Sequence, residues 1–190
     1  MSTPEHSRKF HLIVSFLGWQ AAWFACVAGA GAGSPAIGSL GAVVLIFASL
    51  AIRKALRTEL LPVIAAGFAG YLVDSGLVLL GLLEFPDASR FGGPSTLWMA
   101  LLWSNLTAHI GPRSAFGWLV DRPWLAAFIG ATSGPLAYFG GMKLGAITLV
   151  DPIGNVLAVL AVVWGVGFPG LYALRHLFRR GKDDLVREIS

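Results

Sequence analysis

The chain has 190 residues, of which 56% are hydrophobic and only 13% charged, against roughly 25% charged in an ordinary soluble domain. Its net charge of +4 does not point to nucleic acid, because the basic residues sit in short flanks of apolar runs, where they act as orientation signals in a bilayer. The single cysteine, Cys26, excludes an internal disulfide and any thiolate metal cluster.

A spanning helix needs about 20 apolar residues, because the hydrocarbon is about 30 Å thick and each residue rises about 1.5 Å. Breaks at Pro, Gly and charge divide the chain into six such segments, at residues 10–29, 37–52, 60–83, 96–119, 124–149 and 153–178. The first follows Arg8 and Lys9 and is longer than a signal-peptide core of about 7–15 residues, so it reads as an uncleaved helix. A small-residue turn, Ala30–Pro35, leads into the second. Arg53, Lys54 and Arg57 separate the second from the third, Arg122 separates the fourth from the fifth, and Arg175, Arg179, Arg180, Lys182 and Arg187 close the chain. With Arg8 and Lys9, these alternate connections hold 11 of the 14 basic residues. The opposite side has Arg90, beside Glu84 and Asp87, and Asp151. The expected architecture is therefore an all-α polytopic bundle, one transmembrane domain over residues 1–190 with both termini cytoplasmic.

Trp98, Trp118, Trp124 and Tyr172 fall near span ends, where amphipathic rings are favoured. Trp19, Trp23, Trp103 and Trp164 lie deeper and read as packing against lipid or neighbouring helices.

Asp74, well inside the third segment, costs at least about 2.5–3.5 kcal/mol in hydrocarbon unless paired or hydrated, so it must face protein. On the fourth segment Asn105, His109 and Arg113 recur every four residues and form one polar stripe. Asp74 and Asn105 stand at similar depth, which makes direct contact geometrically feasible. Lys143 has two readings: it snorkels outwards, or it reaches down to Asp74 as a counter-ion. A purely structural reading also covers the set, as a hydrogen-bonded network that fixes helix register. Pro112 and Pro135 fall inside predicted spans and each frees the carbonyl four residues earlier, at Ala108 and Ala131. Their surroundings match, Ala-x-x-Gly-Pro-x-x-x-Phe-Gly in both cases, which suggests an inverted pair of broken helices. Gly130, Gly134, Gly141 and Gly145 form a packing face on the fifth segment, for another helix of the chain or for a second copy.

The stretch from Gly70 to Gly145 contains GYLVDSGLVLLGLLEFP, a Trp-rich start to the fourth segment, and GATSGPLAYFGGMKLGA. Asp74 in its Gly-rich setting, and Gly134-Pro135-x-x-Tyr138-x-x-Gly141 followed by Lys143-Leu144-Gly145, are its most specific pieces. In these the chain resembles a family of small bacterial inner-membrane proteins known as domain of unknown function 2878. That resemblance implies a multi-pass protein of the bacterial inner membrane, with a loose association to modified fatty-acid metabolism.

Three functions follow. The first is binding or translocation of a small amphiphilic or lipid ligand by Asp74, Asn105, His109, Tyr138 and Lys143. The second is a membrane enzyme acting on a lipid or acyl chain, with His109 as acid/base and Asp74 orienting it. The third is a scaffold for another membrane protein at the glycine face. Ser133 lacks the later intramembrane histidine that a serine protease needs, and only His109 lies deep enough for haem. No phosphate loop, dinucleotide fingerprint or zinc motif occurs. No cofactor, metal or nucleic-acid partner is expected; the lipid bilayer is.

Overall fold

A computed structural model describes residues 4–86, 93–112, 114–150 and 152–189; Asp87, Arg90, Arg113 and Asp151 lie outside the described residues. The protein is all-α. Its six helices are α1 (Pro4–Gly31), α2 (Pro35–Ile52), α3 (Leu56–Leu79), α4 (Leu97–Ala108), α5 (Pro123–Lys143) and α6 (Ile153–Ile189). A 3-10 turn spans Gly117–Leu119, and a two-residue antiparallel ladder pairs β1 (Leu83–Glu84) with β2 (Thr148–Leu149). The ladder joins the α3–α4 connection to the α5–α6 connection at one end of the bundle. Arg53, Glu59 and Arg175 cluster at the other.

Four helices, α1 over Lys9–Gly31, α2, α3, and α6 over Ile153–Arg180, are long and apolar enough to cross a membrane. Their neighbourhood is turned inside out relative to a soluble protein. Leu61, Phe68, Phe128 and Val162 are 65–68% exposed, while Asp74, Asn105 and His109 are buried.

Helices end by local backbone chemistry rather than by charge. In α5 the Ala146 N–H donates to Gly141 O at 2.9 Å and the Gly145 N–H to Met142 O at 3.0 Å, with Gly145 at φ +75°. This left-handed cap satisfies carbonyls that the helix end would orphan. The same arrangement ends α3 at Gly81 (φ +71°) and α1 at Gly33 (φ +72°). The predicted third and fifth spans therefore stop short, at Leu79 and Lys143 instead of 83 and 149. Gly145 is a terminator and not part of a packing face.

The fourth span is corrected most. It was expected to reach residue 119, but α4 has 12 residues and ends at Ala108. Pro112 has no N–H to donate and disfavours helical geometry at Gly111 before it. The chain instead folds back, with Phe116 N–H donating to His109 O at 3.0 Å and Ser114 Oγ to the same carbonyl at 2.7 Å. Every residue from Trp103 to Ile110 is buried, so α4 is the central helix, packed by α1, α2, α3 and α6. Pro135 leaves α5 continuous, as do Pro62 in α3 and Pro169 in α6, which also fall inside helices. The inverted pair of broken helices is thus not formed: one proline ends a helix and the other is absorbed, its neighbours packing closely enough to hold the chain helical.

Gly130 and Gly134 bring α6 against α5. A Cβ at Gly130 would meet the Trp164 carbonyl and, at 2.8 Å, Phe168 Cβ, while one at Gly134 would strike the Trp164 side chain. Gly141 faces Ile147, 3.4 Å from where its Cβ would stand. The close helix neighbour of α5 belongs to the same chain.

Candidate ligand-binding site

Asp74 projects from α3 into the seam between α4, α5 and α6 and has no exposed surface. Its Oδ2 accepts from Trp103 Nε1–H at 2.9 Å, and its Oδ1 from the Tyr138 hydroxyl at 2.5 Å. Gly70, one turn earlier on α3, leaves the space that the Trp103 indole fills, since a Cβ there would collide with the ring. Trp103 stacks on Trp164 with centroids 4.2 Å apart and planes 14° from parallel. Tyr138 meets Trp164 at 6.4 Å and 65°. One carboxylate thereby fixes two rings directly and a third through stacking.

Those rings form one wall of a cavity of about 570 Å³ between α1, α4, α5 and α6, inside the range of about 300–1,000 Å³ usual for small-molecule sites. Five of the seven tryptophans line it: Trp19 and Trp23 from α1, Trp98 and Trp103 from α4, and Trp164 from α6. Phe16, Phe116, Phe168 and Tyr138 add further aromatic surface. Among the described residues the lining includes no Asp, Glu, Lys, Arg or His; Gln20, Ser133 and Tyr138 are its polar side chains beside the tryptophans. Asp74 stands behind the wall and not in it.

The cavity reaches the side of the bundle between α1 and α5. These helices meet near the ladder end, where Gly31 lies against the Leu144 carbonyl and Trp23 comes within 3.6 Å of a Cβ at Gly140. Further along they part, and two lining residues, Phe16 and Leu136, are 48% and 69% exposed on the bundle's flank.

The opposite end is a polar lock. His109 Nδ1 lies 2.7 Å from Asn105 O, and because a carbonyl only accepts, Nδ1 carries the proton. Nε2 is left to accept from Ser49 Oγ at 3.0 Å. Arg53 Nη2 donates to Ala108 O at 2.5 Å, the carbonyl that Pro112 leaves without a helical partner, and Arg53 Nε to Ser49 O at 3.1 Å. Arg175 forms a buried two-pronged ion pair with Glu59, against which Gly111 packs. Asn105 Nδ2 donates to Trp19 O at 2.9 Å, Ala115 N–H to Ser15 Oγ at 3.0 Å, and the Tyr172 hydroxyl to Phe116 O at 2.7 Å. These bonds hold α4 and the segment after it.

Of the residues singled out from sequence, the fold brings Asp74 to Tyr138, and His109 to the backbone of Asn105. It does not bring Asp74 to Asn105 or His109, since both Asp74 oxygens bond rings and both His109 nitrogens are used elsewhere. Lys143 is exposed, with its ammonium 5.2 Å from the Phe139 ring centroid. That is the outward reading, and the counter-ion reading falls. Sequence reasoning missed the tryptophans as a set. Its available signal was Phe16, Trp19, Gln20, Trp23 and Val27, which share one helical face of α1 and all line the cavity.

No curated protein and no solved structure matches the chain. A family model described as protein of unknown function (DUF2878) matches residues 12–170, from the first turns of α1 into α6, taking in Asp74 and every cavity-lining residue. The chain belongs to the DUF2878 family.

Proposed function

We propose that the protein binds an apolar or amphiphilic small molecule in the aromatic cavity, admitting it from the bilayer through the gap between α1 and α5. The observation that carries this reading is the convergence of five tryptophans on one space of about 570 Å³. Helix-bundle interiors otherwise fill to a density of about 0.74–0.76 and leave few voids larger than a water molecule. A gap flanked by exposed apolar side chains is useful to a molecule that is already dissolved in lipid.

In this reading all six helices lie in the bilayer as one domain. The 21-residue α5, about 31 Å long at about 1.5 Å per residue, crosses with the four apolar helices, and α4 is enclosed by them. The basic end, with Arg53, Arg175, Arg179 and Arg180, faces the cytoplasm of a bacterial cell by the distribution of basic residues. Asp74 acts as a positioning residue for Trp103 and Tyr138, and His109 as part of the lock.

The test is quenching of tryptophan fluorescence in lipid nanodiscs by a dibrominated octadecane. Trp118 and Trp124, 50% and 88% exposed on the surface, are first replaced by Phe so that the cavity rings dominate the signal. The expected result is saturable quenching that an unbrominated chain reverses. Quenching that rises linearly with probe and resists competition would mean that there is no site.

A further inference from the structure

Two uncharged polar side chains stand at one depth on either side of the lateral gap. Helices α1 and α5 run the same way, from the polar lock to the ladder, and Gly31 of one lies against the Leu144 carbonyl of the other. Counting back from that contact, 11 residues lead to Gln20 on α1 and 11 to Ser133 on α5. Both therefore lie about 16–17 Å from it, at about 1.5 Å per residue. The cavity-lining faces keep this register, with Phe16 level with Ile129 and Trp23 with Leu136. Gln20 is the twelfth of the 23 residues in the apolar stretch Lys9–Gly31, and Ser133 the eleventh of the 21 in α5. In the bilayer arrangement proposed above, both sit at mid-membrane.

Gln20 lines the cavity, is half-buried and has no hydrogen-bond partner among the described residues. Its amide atoms keep accessible surface, so a molecule in the cavity can reach them. A glutamine serving only as glue between helices would be bonded to one of them. Hydrocarbon offers an amide no partner, and leaving it unpaired there is costly. A bound molecule with a polar group at this depth removes that cost. Ser133 is exposed and also lines the cavity. Its hydroxyl donates to Ile129 O at 2.7 Å, and with its one proton committed it offers a ligand only lone pairs.

Gln20 supplies two N–H donors and a carbonyl oxygen. A ligand group that uses both residues at once must accept from the Gln20 amide and donate to Ser133 Oγ, and a hydroxyl does this with one oxygen. An ester, ketone or ether only accepts, so it would use Gln20 alone. A carboxylate or sulfonate would meet the Ser133 lone pairs and find no Lys, Arg or His among the described lining residues. Resting on the binding reading above, we infer that the ligand is an uncharged amphiphile carrying a hydroxyl, which Gln20 and Ser133 recognise at the lateral entrance of the cavity.

The same quenching assay, on the Trp118→Phe/Trp124→Phe protein, takes three probes of equal chain length: a dibrominated alkane, the corresponding dibrominated alcohol, and the methyl ether of that alcohol. Each probe is compared with itself across variants, so its partition into lipid cancels. Gln20→Leu should weaken the alcohol and the ether about tenfold, the worth of roughly one buried hydrogen bond. Ser133→Ala should weaken the alcohol by about three- to tenfold and leave the ether unchanged. Alkane binding should be the same in all three proteins, which also shows that the variants fold; should Gln20→Leu fail to fold, the Ser133→Ala arm decides alone. Alcohol binding that ignores either substitution, an ether as sensitive to Ser133→Ala as the alcohol, or a folded Gln20→Leu protein that weakens all three probes equally would each overturn the inference and leave the binding reading standing. Absence of saturable binding by any probe would overturn both.

Discussion

Replacing Asp74 separates what its shape does from what its charge does. Asparagine keeps one carbonyl oxygen and exchanges the other for an amide. Trp103 N–H has no alternative to donating, so it takes the oxygen; the Tyr138 hydroxyl is both donor and acceptor, so it can rotate to receive the amide N–H. Both contacts seen at 2.9 and 2.5 Å then survive in reversed polarity on one side, and Asp74→Asn should cost about 1 kcal/mol or less. Leucine, of similar size, accepts nothing, and leaving two buried donors unsatisfied costs about 1–3 kcal/mol each, so Asp74→Leu should lose about 2–6 kcal/mol. At about 2–4 °C per kcal/mol for a chain of this size, thermal unfolding in detergent should fall by no more than about 4 °C for Asp74→Asn and by at least that for Asp74→Leu. Saturable quenching should persist in the former. If Asp74→Asn folds with its Tm preserved yet loses binding as completely as Asp74→Leu, the carboxylate charge is itself used on the ligand, and the positioning role assigned to it is wrong.

The Glu59–Arg175 pair, each side chain 7% exposed, should behave as a buried ion pair: Glu59→Leu alone costs about 3–5 kcal/mol, and adding Arg175→Met recovers most of it, as read from unfolding in detergent. Gly130→Ala places a methyl against the Trp164 backbone and Phe168 Cβ, and should cost about 1–3 kcal/mol by overpacking. Gly76→Ala, with nothing within 4 Å, should be neutral or stabilise by up to about 1 kcal/mol; equal effects of the two would refute the packing assigned to α5 and α6. Gly145→Ala, forced into a left-handed conformation at φ +75°, should cost about 1–2 kcal/mol in the same measurement.

Composition and the spacing of apolar runs were enough to read an all-α chain of six helices, because burying backbone polar groups in hydrocarbon leaves few alternatives. Their ends were less legible. Leu80–Leu83 and Leu144–Val150 are nearly as apolar as the helices before them, so hydropathy runs through both, and only Gly81 and Gly145 mark the turn. Asp74 and Tyr138 could be named as site residues from their cost and setting, yet Trp103, the second donor to Asp74, could not. It is 29 residues from Asp74, and nothing local distinguishes a tryptophan that packs from one that donates to a buried acid. Spacing also misled on the polar stripe: residues four apart share a face, but Asn105 turns its side chain to α1 while His109 turns to α2.

The shortness of α4 also governs how the protein is made. Twelve residues extend about 18 Å, well below the roughly 30 Å of a hydrocarbon core, so this helix has no independent means of lodging across a bilayer. Its polar groups are received by α1 at Trp19, α2 at Ser49 and Arg53, and α3 at Val63, where Ser104 Oγ donates to the carbonyl at 3.0 Å. All three receiving helices precede it in the chain and leave the ribosome first. In the bilayer arrangement proposed above, assembly would therefore run in a fixed order, with α1, α2 and α3 forming the berth into which α4 is delivered. A chain beginning after α2 would present α4 with two of its three receiving helices missing.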